Sequence, residues 1–170
     1  MAAGAFTLVL HSHLPWVLHH GRWPHGVDWL NEAAAETYLP LWRALSERAG
    51  NGAAGARARG RGSLGITLGL SPVLCEQLAH PDFHLEFVSY LEQKIAAAAE
   101  DRATFERIGE GAMSALAQTW ERFYRATLED FMGPHGPDLV RRFRRLEENG
   151  AIEIITCGAT HGYLPLLGRE

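Results

Sequence analysis

Lysine is nearly absent from this chain: Lys94 stands alone against fifteen arginines in 170 residues. With so many alanines and glycines, that skew reflects a GC-rich coding sequence rather than a basic partner. Cysteine is scarce too. Cys75 and Cys157 are too few and too far apart for a disulfide framework, which suits a reducing, cytoplasmic compartment. No apolar run approaches the roughly 20 residues of a membrane span. No basic segment precedes the short apolar run near Met1, so no secretory signal is expected. The net charge of −4 argues against nucleic acid or an anionic membrane as the main partner. The two arginine-rich runs, within residues 57–61 and 141–145, are balanced by acids and carry no interleaved exposed aromatics, Phe143 being read as inward. No repeat of 20 to 50 residues is visible.

What is present suits a folded, core-forming chain. Apolar residues make up 46% and charged residues 21%. The length is that of about one domain. Five tryptophans and nine histidines are more telling. Trp16, Trp23, Trp29 and Trp42 fall in the first quarter, with His11, His13, His19, His20 and His25. Flat apolar rings beside hydrogen-bonding tips suit a polar, ring-shaped ligand such as a sugar. The competing reading of each Trp is ordinary core packing.

Three strands are expected. Residues 5–10 form a short apolar run suited to burial on both faces. Residues 64–70 form the second, weakened by glycines. Residues 151–157 form the third, bounded by Asn149-Gly150 and Gly158. Helices are expected over 28–37 and from Pro40 to Ala49, with Gly50 as the stop. Ser71-Pro72 opens a helix through Ala79. His80-Pro81 opens another, with Phe83, Phe87, Leu91 and Ile95 on one face. A further helix covers 113–131. Asp138 caps the last, with Leu139, Phe143 and Leu146 inward and Arg141, Arg142, Arg144 and Arg145 outward. Residues 51–62, of Gly, Ala and Arg after Asn51, read as a flexible loop within one domain.

Strands separated by helices imply an α/β fold with a parallel sheet, whose ligands bind at the carboxyl ends of the strands. Those ends carry His11, His13 and Trp16, then Ser71, then Thr160, His161 and Tyr163. Two chemistries remain open from the residues. His11 and His13 are two apart and, with His161, are the candidates for a three-histidine metal site. Alternatively, neutral imidazoles donate to and accept from sugar hydroxyls while Trp16, Trp23 or Tyr163 supply stacking faces. No Asp or Glu lies in the strand-end segments 11–16, 71–72 and 158–165. A retaining glycosidase needs two carboxyl groups about 5–5.5 Å apart.

The segments 8–17, 21–26, 33–41, 64–79 and 155–168 (LVLHSHLPWV, GRWPHG, AAAETYLPL, LGITLGLSPVLCEQLA and ITCGATHGYLPLLG) resemble, in order, glycoside hydrolase family 57. Within that family they most resemble the 1,4-α-glucan branching enzymes. Leu14 stands where Gln is usual in the family, a departure that occurs in the branching-enzyme-like members and so favours that branch.

The resemblance implies a (β/α)7 barrel, of which residues 1–170 would be the N-terminal part. It implies retaining transglycosylation on α-1,4-glucans, such as amylose or glycogen, with no metal or organic cofactor. His13 and His161 would contact the sugar at the cleavage subsite, with His11 beside them; Trp16, Trp23, Thr160 and Tyr163 would be secondary. The nucleophilic Glu and the acid/base Asp belong to later motifs, expected beyond Glu170. No catalytic carboxylate is therefore assigned, and Glu32, Glu36 and Glu76 read as helix acids. The missing C-terminal part would be the chain's first partner. Without it, the fragment is expected to be inactive, to expose an apolar sheet edge and to aggregate. The alternatives are an α-amylase or 4-α-glucanotransferase of the same family, a metal-dependent deacetylase- or mannosidase-like barrel, and a non-catalytic glucan-binding module.

Overall fold

The computed structural model describes residues 4, 6–56 and 65–168, with side chains of 51–56 excluded. Three parallel strands, β1 (Leu8–Ser12), β2 (Ile66–Leu70) and β3 (Glu153–Ile155), form one sheet in the order β1-β2-β3. The register aligns His11 with Gly69 and Gly69 with Ile155. The expected α/β class and parallel sheet are both present.

The strand limits differ from expectation because pairing sets them. β2 begins at Ile66, after Gly65 at φ +68°, so β1 finds its partners only from Leu8. It then continues through His11 and Ser12, placing His11 within the strand rather than after it. β3 pairs over three residues only; Ala151 and Ile152 are buried but unpaired. β1 is not buried on both faces: as a sheet edge it leaves Val9 55% exposed, and Ile155 on the opposite edge is 43% exposed.

Helix α1 (Val27–Ala33) runs through one π-turn (Ala34–Tyr38) into α2 (Leu39–Ala56). The two expected helices are thus continuous. Pro40 has no N–H to donate and its ring crowds the preceding turn; a wider turn just before it absorbs both. Gly50 does not stop α2, because it is not among the glycines at positive φ and alanines follow it. The expected loop over 51–62 is thus helical over 51–56, and residues 57–62 lie outside the described residues.

α3 (Pro72–Ala79) and α4 (Pro81–Arg107) start at their prolines as expected. α5 (Gly111–Phe131) returns along α4, burying Phe131 against Phe87 at 4.7 Å between centroids. α6 (Leu139–Glu148) is capped by Asp138, whose Oδ1 accepts the Arg141 amide at 2.9 Å. It ends before Gly150 at φ +70°, the left-handed position that favours glycine. Leu139, Phe143 and Leu146 are buried as expected.

Arg142 is not on the outer face. It is 1% exposed. Its Nε donates to the Gly136 carbonyl (2.8 Å), Nη1 to Asp130 Oδ1 (3.0 Å) and Nη2 to the Asp130 carbonyl (2.7 Å). Its guanidinium stacks over Trp42 at 4.7 Å. An arginine among four reads as solvated by pattern alone; the partners that draw this one inward lie on other elements.

Candidate active site

Backbone hydrogen bonds tie the three strand ends together. The Ser71 amide, after β2, donates to the Ser12 carbonyl of β1 at 3.2 Å. The Val73 amide, in the open first turn of α3, donates to the Ala159 carbonyl after β3 at 3.0 Å. The His161 amide closes a turn onto the Gly158 carbonyl at 2.8 Å. That turn holds His161 at φ +61°, a left-handed conformation that His adopts more readily than most residues. Such strain is commonest where a side chain must be aimed.

The side chains follow this frame. The His161 ring stacks on His13 at 4.3 Å between centroids and 25° between planes. It meets His11 at 4.7 Å and 57°. His13 Nδ1 is hydrogen-bonded to Ser71 Oγ at 2.9 Å. Ser71 precedes α3 without making a side-chain cap; its buried hydroxyl serves His13 instead. Gly69, opposite His11, has the His11 ring 3.6 Å from where a Cβ would sit. Three imidazoles and one hydroxyl thus present donors and acceptors on one side of the sheet's carboxyl end. One pair stacks and the other is tilted, and among the described residues these three imidazoles do not bring their nitrogens together as a metal-ligand group.

The aromatic candidates are more dispersed. Trp16 sits edge-on to His80 at 6.4 Å. Trp23 and Tyr163 are 81% and 69% exposed, and Thr160 is exposed. Among the described residues, no ring contact joins Trp16, Trp23 or Tyr163 to the imidazole cluster. Two supporting residues escaped the sequence-based list of site residues. Ser71 was visible only as a strand-end residue. Gln77 is fully buried on α3; its Oε1 accepts the Val17 amide at 2.7 Å and the Leu18 amide at 3.2 Å, and its Nε2 donates to the Pro15 carbonyl at 3.0 Å. It holds the segment that carries Trp16. The signal was there: a polar side chain between Leu74 and Leu78 on the core-facing side of α3. Gly26 packs the next loop, where a Cβ would overlap the Gly21 carbonyl.

Burial, then the nearby His161 and His11, lowers the His13 pKa from its ordinary 6.5. The folded chain therefore resists a proton that the unfolded chain accepts. Stability is expected to fall as pH drops through about 6.5 toward the lowered value, and to be flat well above it. Urea midpoints at about pH 7.5 and about pH 5.5 read this out. His13→Gln should reduce the difference between them; an unchanged difference would place its source elsewhere.

The sequence model of glycosyl hydrolase family 57 matches residues 7–170. A 1,4-α-glucan branching enzyme of Thermococcus kodakarensis is 36% identical over 167 residues, which is 98% of this chain and 22% of that protein. A crystal structure of a branching enzyme of this family from Pyrococcus horikoshii superposes with a TM-score of 0.80 at 35% identity, covering 96% of this chain and 28% of that one. An α-amylase from Thermotoga maritima superposes at 0.74 with 26% identity, covering 94% and 28%. The chain thus spans less than a third of the length of these relatives. It belongs to glycosyl hydrolase family 57, and within it is branching-enzyme-like.

Proposed function

We propose that the polypeptide carrying this segment is a 1,4-α-glucan branching enzyme. The observation that carries the reading is the His11–His161–His13–Ser71 cluster at the strand ends of a branching-enzyme-like chain. In this reading His13 and His161 hydrogen-bond the hydroxyls of the sugar at the cleavage point, and His11 flanks them. Neutral imidazoles hold the sugar through its hydroxyls, and the bonds in which a hydroxyl donates to an imidazole nitrogen strengthen as positive charge develops on the ring and makes that hydroxyl more acidic. A Glu attacks the anomeric carbon while an Asp protonates the departing glucan. The Asp then deprotonates the 6-hydroxyl of an acceptor glucan, which displaces the Glu and creates the α-1,6 bond. Those two carboxylates come from outside this segment, in a completed (β/α)7 barrel. Residues 1–170 in isolation are accordingly inactive and prone to aggregate through the exposed Val9 and Ile155 edges. Trp16, Trp23 and Tyr163 line the approach, and a cytoplasmic location belongs to the same proposal.

The test is the whole polypeptide incubated with amylose. Branching lowers iodine staining and creates links that a debranching enzyme cleaves, without a matching rise in reducing ends. Reducing ends without debranchable links would instead place the protein with the α-amylases.

A further inference from the structure

We infer that His19, His80 and Asp82 form a divalent-cation site of the zinc class, separate from the imidazole cluster at the strand ends and independent of the proposed activity. One donor atom from each lies within 4.8 Å of the others. His19 Nε2 is 2.7 Å from Asp82 Oδ2, and His80 Nδ1 is 3.8 Å from the same oxygen. A tetrahedral ion with bonds of about 2.0–2.1 Å spaces its ligand atoms about 3.3 Å apart. The first pair therefore relaxes outward and the second closes inward, each by about half an ångström. Two imidazoles and one carboxylate are a donor set that zinc accepts, leaving a fourth position for water.

The three residues are held from both sides. His80 and Asp82 flank Pro81 at the start of α4, and the Asp82 amide donates to His80 Nδ1 at 3.1 Å. That long contact is the one the ion displaces. His19 is presented by a left-handed backbone, φ +71°, on the segment that Gln77 anchors at Val17 and Leu18. Access is open. The His19 and Asp82 side chains are about half exposed, and a groove of about 480 Å³ lined by Leu18, His19, Arg22, Asp82, Leu85 and Glu86 runs beside them. The cation in that groove, Arg22, is engaged by Asp28 at 3.0 Å and by Gln93 at 2.7 Å, so it does not compete for Asp82. An ion here joins the loop after β1 to α4. Through the Trp16–His80 contact it also steadies the loop that leads out of the histidine cluster.

Zinc chloride alone, titrated calorimetrically into the chelator-treated whole polypeptide near neutral pH, tests this. One equivalent should bind, and cobalt in its place should give the visible absorption of a tetrahedral centre. Asp82→Asn and His19→Gln should each weaken binding by about tenfold or more, while His161→Gln leaves it unchanged. Circular dichroism checks that the variants fold, and His19→Gln, in an exposed loop, decides if Asp82→Asn does not. Absence of binding, equal affinity in His19→Gln, or loss of binding in His161→Gln would each overturn the assignment.

Discussion

Replacing Arg142 with Met is expected to destabilise the fold by about 3–5 kcal/mol, the usual cost of removing one partner from a buried ion pair. The Arg142 side chain is fully enclosed and Asp130 is largely so. Burial pulls the guanidinium pKa down and Asp130 pulls it back, and an arginine stays charged at neutral pH. Without it, the Gly136, Asp130 and Phe131 carbonyls all lose a donor. The stacking on Trp42 goes as well, and Met restores only the apolar part of it. Arg43, the second partner of Asp130 at 2.6 Å, softens the loss but is itself about a third exposed. Arg43→Met should therefore cost only about 1 kcal/mol. Urea unfolding of the two variants beside wild type measures the contrast. Equal costs would mean that the Arg142 network is no stronger than a surface pair.

The second large effect falls on activity. In the whole polypeptide, His161→Ala is expected to lower kcat/KM for the proposed amylose branching about a hundredfold or more, the scale for a lost transition-state hydrogen bond. His161 is the ring that touches both His11 and His13, so its removal also frees the other two to move. Its left-handed backbone suits Ala poorly. His161→Asn is therefore the companion variant: Asn tolerates that conformation and keeps a donor, and should recover part of the rate. Near wild-type activity in His161→Ala would remove His161 from the sugar site. Loss of activity with loss of folding in Ala, but full activity in Asn, would leave His161 a turn residue.

Much of the architecture could be read along the chain because it is encoded locally. Proline at the first turns of α3 and α4, Asp138 before α6, and Asn149-Gly150 after it each act within a few residues. The apolar spacing of Phe83, Phe87, Leu91 and Ile95 marks the buried face of α4 directly. Strand limits were less legible. Where β1 begins depends on where β2 begins to pair, fifty-eight positions further on, as the alignment of Leu8 with Ile66 requires. The helix over Pro40 was misread because the turn that accommodates a proline lies before it and has no composition of its own.

The histidines at the strand ends were visible from order alone: in a parallel sheet, a residue following one strand must lie beside a residue following another. Local sequence therefore sufficed for α3 to α6, the sheet direction and the gathering of His11, His13 and His161, since each follows from spacing or chain order. It could not pair His13 with Ser71, draw Arg142 inside among four look-alike arginines, or bring His19 to Asp82. His13 and Ser71, Arg142 and its partner Asp130, and His19 and Asp82 are 58, 12 and 63 positions apart. Such contacts leave no periodic trace in a sequence. They exist because packing the helices against the sheet brings distant polar groups to one place, where burial makes an unpartnered one costly and so selects its mate.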